Sequence, residues 1–166
     1  MIIELTSDDI QQAKAIFYSY PHHFNKLGLL KLEEEMIDYV NNPDFSKRCF
    51  FVEKERHQVL GVIGYSRSLK NPYEFEITWL AVRADFKRKG IGKRLIEHLE
   101  ERIKGLSAEI LVVYTPDDIG SISFYEKMGF IQSGELSSDN KIGYKKTIKV
   151  QKPTFRSREM IGIYER

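Results

Sequence analysis

Two apolar runs, "EITWLAV" at residues 76–82 and "EILVVY" at residues 109–114, flank one amphipathic segment, "GIGKRLIEHLEERI", at residues 90–103. No other feature restricts the fold so strongly. Strands that run in the same direction need a crossover, normally a helix, and such crossovers are right-handed. Ile91, Leu95, Leu99 and Ile103 recur at helical spacing with Ile96 beside them, which predicts a helix with one buried stripe. Glu97, Glu100 and Glu101 lie off that stripe, and Glu100 precedes Lys104 in the favourable i,i+4 order. The run "EILVVY" is unbroken, as expected of a strand covered on both faces. A parallel β-α-β unit is therefore expected at the centre of the sheet.

The remaining segments fit around that unit. "MIIEL" reads as a short strand. Ile10, Ala13, Phe17 and Tyr20 mark a first helix, with a capping box from Thr6 to Asp9 and an end at Pro21. Leu29, Leu32, Met36 and Val40 mark a second, stopped by "NNPD". "CFFVEK" and "VLGVIGYSR" form a hairpin around "ERHQ", and "NP" turns the chain into "EFEITWLAV". "SISFYEKM" reads as a short helix closed by Gly129, followed by the strand "FIQSGEL". "IGYKKTIKV" and "EMIGIYER" both have strand composition, joined by "QKPTFRSR". The expected fold is α/β: one domain over residues 1–166, with a mixed, mostly antiparallel twisted sheet of six to seven strands. About four helices cover both faces, around a central parallel splay.

Composition narrows the function. The formal net charge is only +2, so the basic residues at the start of the third helix are a local cluster. A general nucleic-acid binder is more often basic overall. Cys49 is the one cysteine, which excludes an internal disulfide and fits a reducing compartment. The start "MII" is broken by Glu4, and no apolar run approaches bilayer length. A cytoplasmic protein without a membrane or nucleic-acid partner is expected.

The basic cluster needs an explanation. Lys87, Arg88, Lys89, Lys93 and Arg94 repel one another around Gly90 and Gly92. Each glycine weakens the helix by roughly 1 kcal/mol relative to alanine. A helix N-terminus exposes unpaired N–H groups, glycines let an anion approach the backbone, and basic side chains add charge-assisted contacts. A polyanion such as a pyrophosphate suits this arrangement. The plain alternative is a solvated cationic helix end. The segment is neither a G-x-x-x-x-G-K-[ST] loop nor a full G-x-G-x-x-G turn.

"EITWLAVRADFKRKGIGKRLI" resembles the acetyl-CoA segment of the GNAT-superfamily acetyltransferases, where [Gln/Arg]-x-x-Gly-x-[Gly/Ala] opens a helix after a strand. Lys87 takes the Gln/Arg place, keeping a donor but losing a planar fork. "DIGSISFYEKMGF" is similar to the family's later segment. Tyr125, Gly129 and Phe130 fall on its positions, with Asp118 where Asn is usual and Ser121 where Ala is common. The resemblance covers residues 50–130. It implies acetyl-CoA as co-substrate, no metal, and a primary amine acceptor, on a small molecule or on a peptide or protein, that attacks the thioester directly in a ternary complex. It further implies that backbone groups at Leu80, Ala81 and Val82 hold the pantetheine arm. Lys87, Arg88, Lys89, Gly90, Ile91, Gly92 and Lys93 would hold the pyrophosphate, with Asp118, Ser121, Phe124 and Tyr125 also lining the cofactor.

Tyr125 then supplies the proton for the departing thiolate, since a phenol of pKa ~10 can donate to a thiolate whose acid has pKa ~8.5. Glu76 is the candidate base, directly or through a water. It is read as lying on the face of its strand opposite Phe75, Ile77 and Trp79; an ordinary surface glutamate is the alternative. A non-catalytic coenzyme A sensor or nucleic-acid module using the basic cluster is the competing function. "YSYPHHF" is read as a loop that borders the acceptor, and the adjacent His22 and His23 lack metal-ligand spacing. His57 and His98 are expected to be exposed, Cys49 and Trp79 to be core. The acceptor's identity and the choice between monomer and homodimer stay open.

Overall fold

The computed structural model describes residues 1–149. The strands are β1 (Ile2–Glu4), β2 (Arg48–Glu55), β3 (Gln58–Arg67), β4 (Glu74–Val82), β5 (Ile110–Thr115), β6 (Ile131–Leu136) and β7 (Ile142–Thr147). The helices are α1 (Ile10–Tyr18), α2 (Lys26–Asn41), α3 (Ile91–Lys104) and α4 (Ile119–Lys127). One seven-stranded sheet runs in the order β1-β2-β3-β4-β5-β7-β6. Only the β4–β5 pair is parallel, so the expected mixed, mostly antiparallel sheet with a central crossover is what forms. The second strand expected near the end of the chain, "EMIGIYER", lies outside the described residues.

Local chemistry explains most element boundaries. Thr6 and Asp9 form the expected capping box, although the first turn is 3-10 before α1 begins. α1 stops at Tyr18, because Pro21 bars the residue before it from helical geometry. Tyr20 therefore leaves the α1 stripe and sits in the following turn. Asn25 caps α2 by accepting from the Gly28 N–H at 2.7 Å.

The core forms two layers against the sheet. Ile91, Leu95, Ile96, Leu99 and Ile103 of α3 are all buried, each worth about 1.5–3 kcal/mol over leaving it exposed. On the other face Phe17 of α1 and Leu32 and Met36 of α2 are fully buried. Two pairings differ from the local reading of α3. Lys104 pairs with Glu101 at 2.7 Å rather than with Glu100. Glu100 instead bonds Lys146 of β7 at 2.7 Å, a long-range partner that i,i+4 spacing cannot anticipate. His98 is half-buried, not exposed, with its ring edge-on to Phe51 at 4.6 Å. That burial lowers its pKa.

β4 decides the layout of the site. It pairs with β5 only over Glu74, Phe75, Glu76 and Ile77, and beyond that point the two strands part. Against β3 the register slips: Tyr65 faces Ile77 but Gly64 faces Trp79, leaving Thr78 as a bulge. The Thr78 hydroxyl donates to the Gly64 carbonyl at 3.2 Å. The slip reverses the side-chain alternation. Phe75 and Ile77 face the α3 layer, but Trp79 faces α1 and α2, meeting Phe17 edge-on at 6.0 Å. Trp79 thus shares a face with Glu76, contrary to the regular alternation expected from the sequence.

Candidate active site

The gap beyond Ile77 exposes main-chain polar groups. The Arg83 N–H donates to the Leu60 carbonyl of β3 at 2.8 Å. A trans peptide points the C=O of residue i opposite to the N–H of i+1. The Val82 carbonyl therefore faces away from β3, into the gap. Leu80 lies two residues earlier on the strand and turns its own N–H and C=O the same way, with no strand opposite. Ala81 presents its backbone to β3, paired with Val62, and its side chain is buried. Of the three expected arm-binding positions, Leu80 and Val82 offer main chain to the gap and Ala81 does not.

The turn into α3 forms the rim. Arg88 and Gly90 both take left-handed conformations, φ 62° and 79°. Gly90 suits that geometry without strain; Arg88 adopts it as a bulky residue, at a cost of order 1 kcal/mol or more. No described residue accepts from the N–H groups of Arg88, Lys89, Gly90, Ile91, Gly92 or Lys93. Alternating-handed backbone of this kind, running into a helix N-terminus, makes an anion-binding concavity. Gly92 keeps it open: a Cβ there would lie 3.2 Å from Phe124 Cζ of α4 and 4.0 Å from Val82 Cγ2. Gly92, Phe124 and Val82 thus meet where α3, α4 and β4 converge.

The cations are less free than the sequence suggests. Arg94 is held by Glu53 of β2, through Nε at 2.9 Å and Nη2 at 2.7 Å. Lys87 lies 4.5 Å over the Tyr20 ring and Lys89 4.7 Å over Phe86. Lys93 stands 3.9 Å from Glu97.

Tyr125 is buried beside this junction. Its ring meets Phe124 at 5.2 Å and Phe130 at 5.5 Å, both edge-on. Burial raises its pKa well above the ordinary tyrosine value, which keeps the phenol protonated. Its hydroxyl has no partner among the described residues. Asp118 and Ser121 do something local instead. The Asp118 carboxylate caps α4, accepting from the Ser121 N–H at 3.0 Å and its hydroxyl at 2.7 Å. Those two bonds hold its pKa below the usual carboxylate range.

Glu76 sits one residue before the last β4–β5 pair, at the floor of the gap, on the α2 side. It forms no ion pair with a described residue, and burial raises its pKa. Its neighbour Glu35 bonds Trp79 Nε1 at 2.6 Å. Sequence reasoning gave Tyr20 no role at the main chain. Its hydroxyl donates to the Val82 carbonyl in the gap, and its ring stacks edge-on with His23 at 6.1 Å. The usable signal was Pro21, which removes Tyr20 from the helix.

A family model described as the acetyltransferase (GNAT) family matches residues 11–130. The chain belongs to this family. Solved structures share the GNAT fold over nearly their whole length. A GNAT-family structure from Desulfovibrio desulfuricans has a TM-score of 0.82 at 16% identity, over 90% of this chain and 99% of that one. An aminoglycoside 6'-N-acetyltransferase complexed with coenzyme A has a TM-score of 0.74 at 19% identity, over 92% and 99%. The PaiA N-acetyltransferase from Thermoplasma acidophilum, in complex with coenzyme A, has a TM-score of 0.69 at 19% identity, over 89% and 98%. Among the described residues of this GNAT chain, no group of three or more His, Cys, Asp or Glu is placed to hold a metal. No described helix is long and apolar enough to cross a membrane. Cys49 is fully buried, with its thiol pushed up to about 11 by burial, as a core residue rather than a nucleophile.

Proposed function

We propose that residues 1–166 act as one acetyltransferase domain that moves the acetyl group of acetyl-CoA to a primary amine by direct attack in a ternary complex. The observation that carries this reading is the row of unaccepted N–H donors, from Arg88 to Lys93, beside a β4 edge that β5 has left. The residues fit the cofactor. The donors suit a diphosphate, the Leu80 and Val82 main chain suits an extended amide-bearing arm, and Gly92 leaves room that a larger side chain would fill.

When bound, acetyl-CoA supplies the acetyl group activated as a thioester. Glu76, held as a stronger base by burial, accepts the proton of the attacking amine, directly or through a water. The Leu80 N–H faces the gap as the donor for developing negative charge on the acyl oxygen. Tyr125 keeps its proton at neutral pH and donates it toward the departing sulfur. The test is thiol release on mixing the protein with acetyl-CoA and a panel of amines, peptides included. Release requires both partners; a panel without any acceptor-dependent release argues against the reading.

Two predictions belong here. Glu76→Gln removes the acid limb of the kcat/KM pH profile, because activity in the parent rises as Glu76 loses its proton. Stability moves with the opposite sense. A carboxyl with a raised folded-state pKa disfavours the fold once pH exceeds its unfolded value, so Glu76→Gln stabilises at neutral pH and not at acid pH. Thermal melts at both pH values check it.

Tyr20→Phe tightens coenzyme A binding by about fivefold, the scale of one hydrogen bond, because the Val82 carbonyl loses its internal donor. Calorimetry that finds weaker binding would assign Tyr20 a direct contact instead.

A further inference from the structure

We propose that Glu53 and Arg94 are positioning residues that turn the Gly90 N–H into the anion-binding turn, rather than Arg94 being one of its cationic ligands. The inference rests on the coenzyme A reading of that turn and extends it to residues lying behind it. Arg94 uses its three nitrogens in two directions. Nε and Nη2 both bond Oε1 of Glu53, at 2.9 and 2.7 Å. Nη1 reaches back and donates to the Lys89 carbonyl at 3.0 Å.

That last bond sets the direction of a peptide plane. In a trans peptide the Lys89 C=O and the Gly90 N–H point opposite ways. Fixing the carbonyl on Arg94 aims the N–H away from Arg94, to the side where no described residue accepts it. A flip of the same plane would place a carbonyl oxygen against the phosphate. Gly90 is free to permit such a flip, since a left-handed glycine meets little steric resistance. The fork on Arg94 opposes it. Lysine cannot replace it, because one ammonium does not present a rigid fork to Glu53 and to a carbonyl on another side.

Glu53 explains why Arg94 stays behind the turn. It is only 7% exposed and projects from β2, a central part of the fold. Its Oε2 is buried without any hydrogen-bond partner. A carboxylate kept in that state for stability alone is a poor choice, because an unpartnered buried charge is costly. Its use is to attract the guanidinium. Glu53, Lys89, Ile91 and Arg94 all border one cavity of about 400 Å³, so the clamp adjoins the turn from behind.

The experiment compares Glu53→Gln and Arg94→Lys with the parent by calorimetric titration of coenzyme A. Thiol release is then followed with two acyl donors, acetyl-CoA and S-acetylpantetheine, which lacks the diphosphate. Both variants are expected to weaken coenzyme A binding by about tenfold and to raise KM for acetyl-CoA with little change in kcat. Turnover of S-acetylpantetheine stays at the parental rate, and the slope of affinity against salt stays the same, since no phosphate contact is lost. Equal loss with both donors would mean general structural damage and overturns the proposal. Parental affinity in Arg94→Lys with a shallower salt slope in Arg94→Met would make Arg94 a direct phosphate ligand and also overturns it. A parent protein that binds no coenzyme A sinks the functional reading itself, and this is seen before any variant is compared.

Discussion

Tyr125→Phe lowers kcat by about 100-fold while coenzyme A affinity stays within about twofold. The magnitude is the lower end of what a positioned proton donor contributes. The substitution is clean because the ring's packing on Phe124 and Phe130 survives it. The hydroxyl has no described partner, so its removal strands no donor or acceptor, and the melting temperature should hold or rise slightly. Burial keeps the phenol protonated far above neutrality, so the parent should show no loss of this acid at moderately alkaline pH. Steady-state kinetics, paired with calorimetry, separates the two effects. Unchanged kcat would remove Tyr125 from the chemistry and leave it a core aromatic.

Gly92→Trp raises the dissociation constant for coenzyme A by more than about 100-fold, which at 1.4 kcal/mol per tenfold is roughly 3 kcal/mol. The nearest atoms to a new Cβ are Phe124 Cζ at 3.2 Å and Cε2 at 3.5 Å. An indole therefore has two choices. It displaces Phe124 and disturbs α4, or it turns outward across the row of free N–H groups. Either closes the concavity. Gly92→Ala provides the graded control, since a methyl needs Phe124 to give by only a few tenths of an ångström. Its melting temperature reports whether packing alone is affected. A tryptophan variant that still binds coenzyme A normally would move the diphosphate away from this turn.

The local patterns were legible in the sequence because their causes are local. The α3 stripe, the capping box at Thr6, the Gly129 helix end and the hairpin around residues 56 and 57 all came from neighbours in the chain. The parallel pairing of β4 with β5 followed from the helix between them. What escaped depends on partners distant in sequence. Arg94 was counted among free cations because Glu53 lies 41 residues away. Glu100 was matched to Lys104 because Lys146 belongs to a strand whose place in the sheet is not set by order along the chain. β7 enters between β5 and β6, so consecutive strands alone would misplace it. Asp118 and Ser121 were assigned to the cofactor side, yet their nearest task is to cap α4. Tyr20 was read into a helical stripe that proline cuts short.

The bulge at Thr78 carries a further consequence. Since each step along β4 turns a side chain to the other face, what reaches the cleft depends on how many residues precede it as well as on their identity. Removing one residue between Glu76 and Leu80 would send the indole of Trp79 toward α4 and the aliphatic groups of Leu80 and Val82 toward α2. Exchange of Thr78 for another residue would leave that count intact. The strand behaves like a reading frame: it tolerates spelling changes, and it must gain or lose residues in pairs.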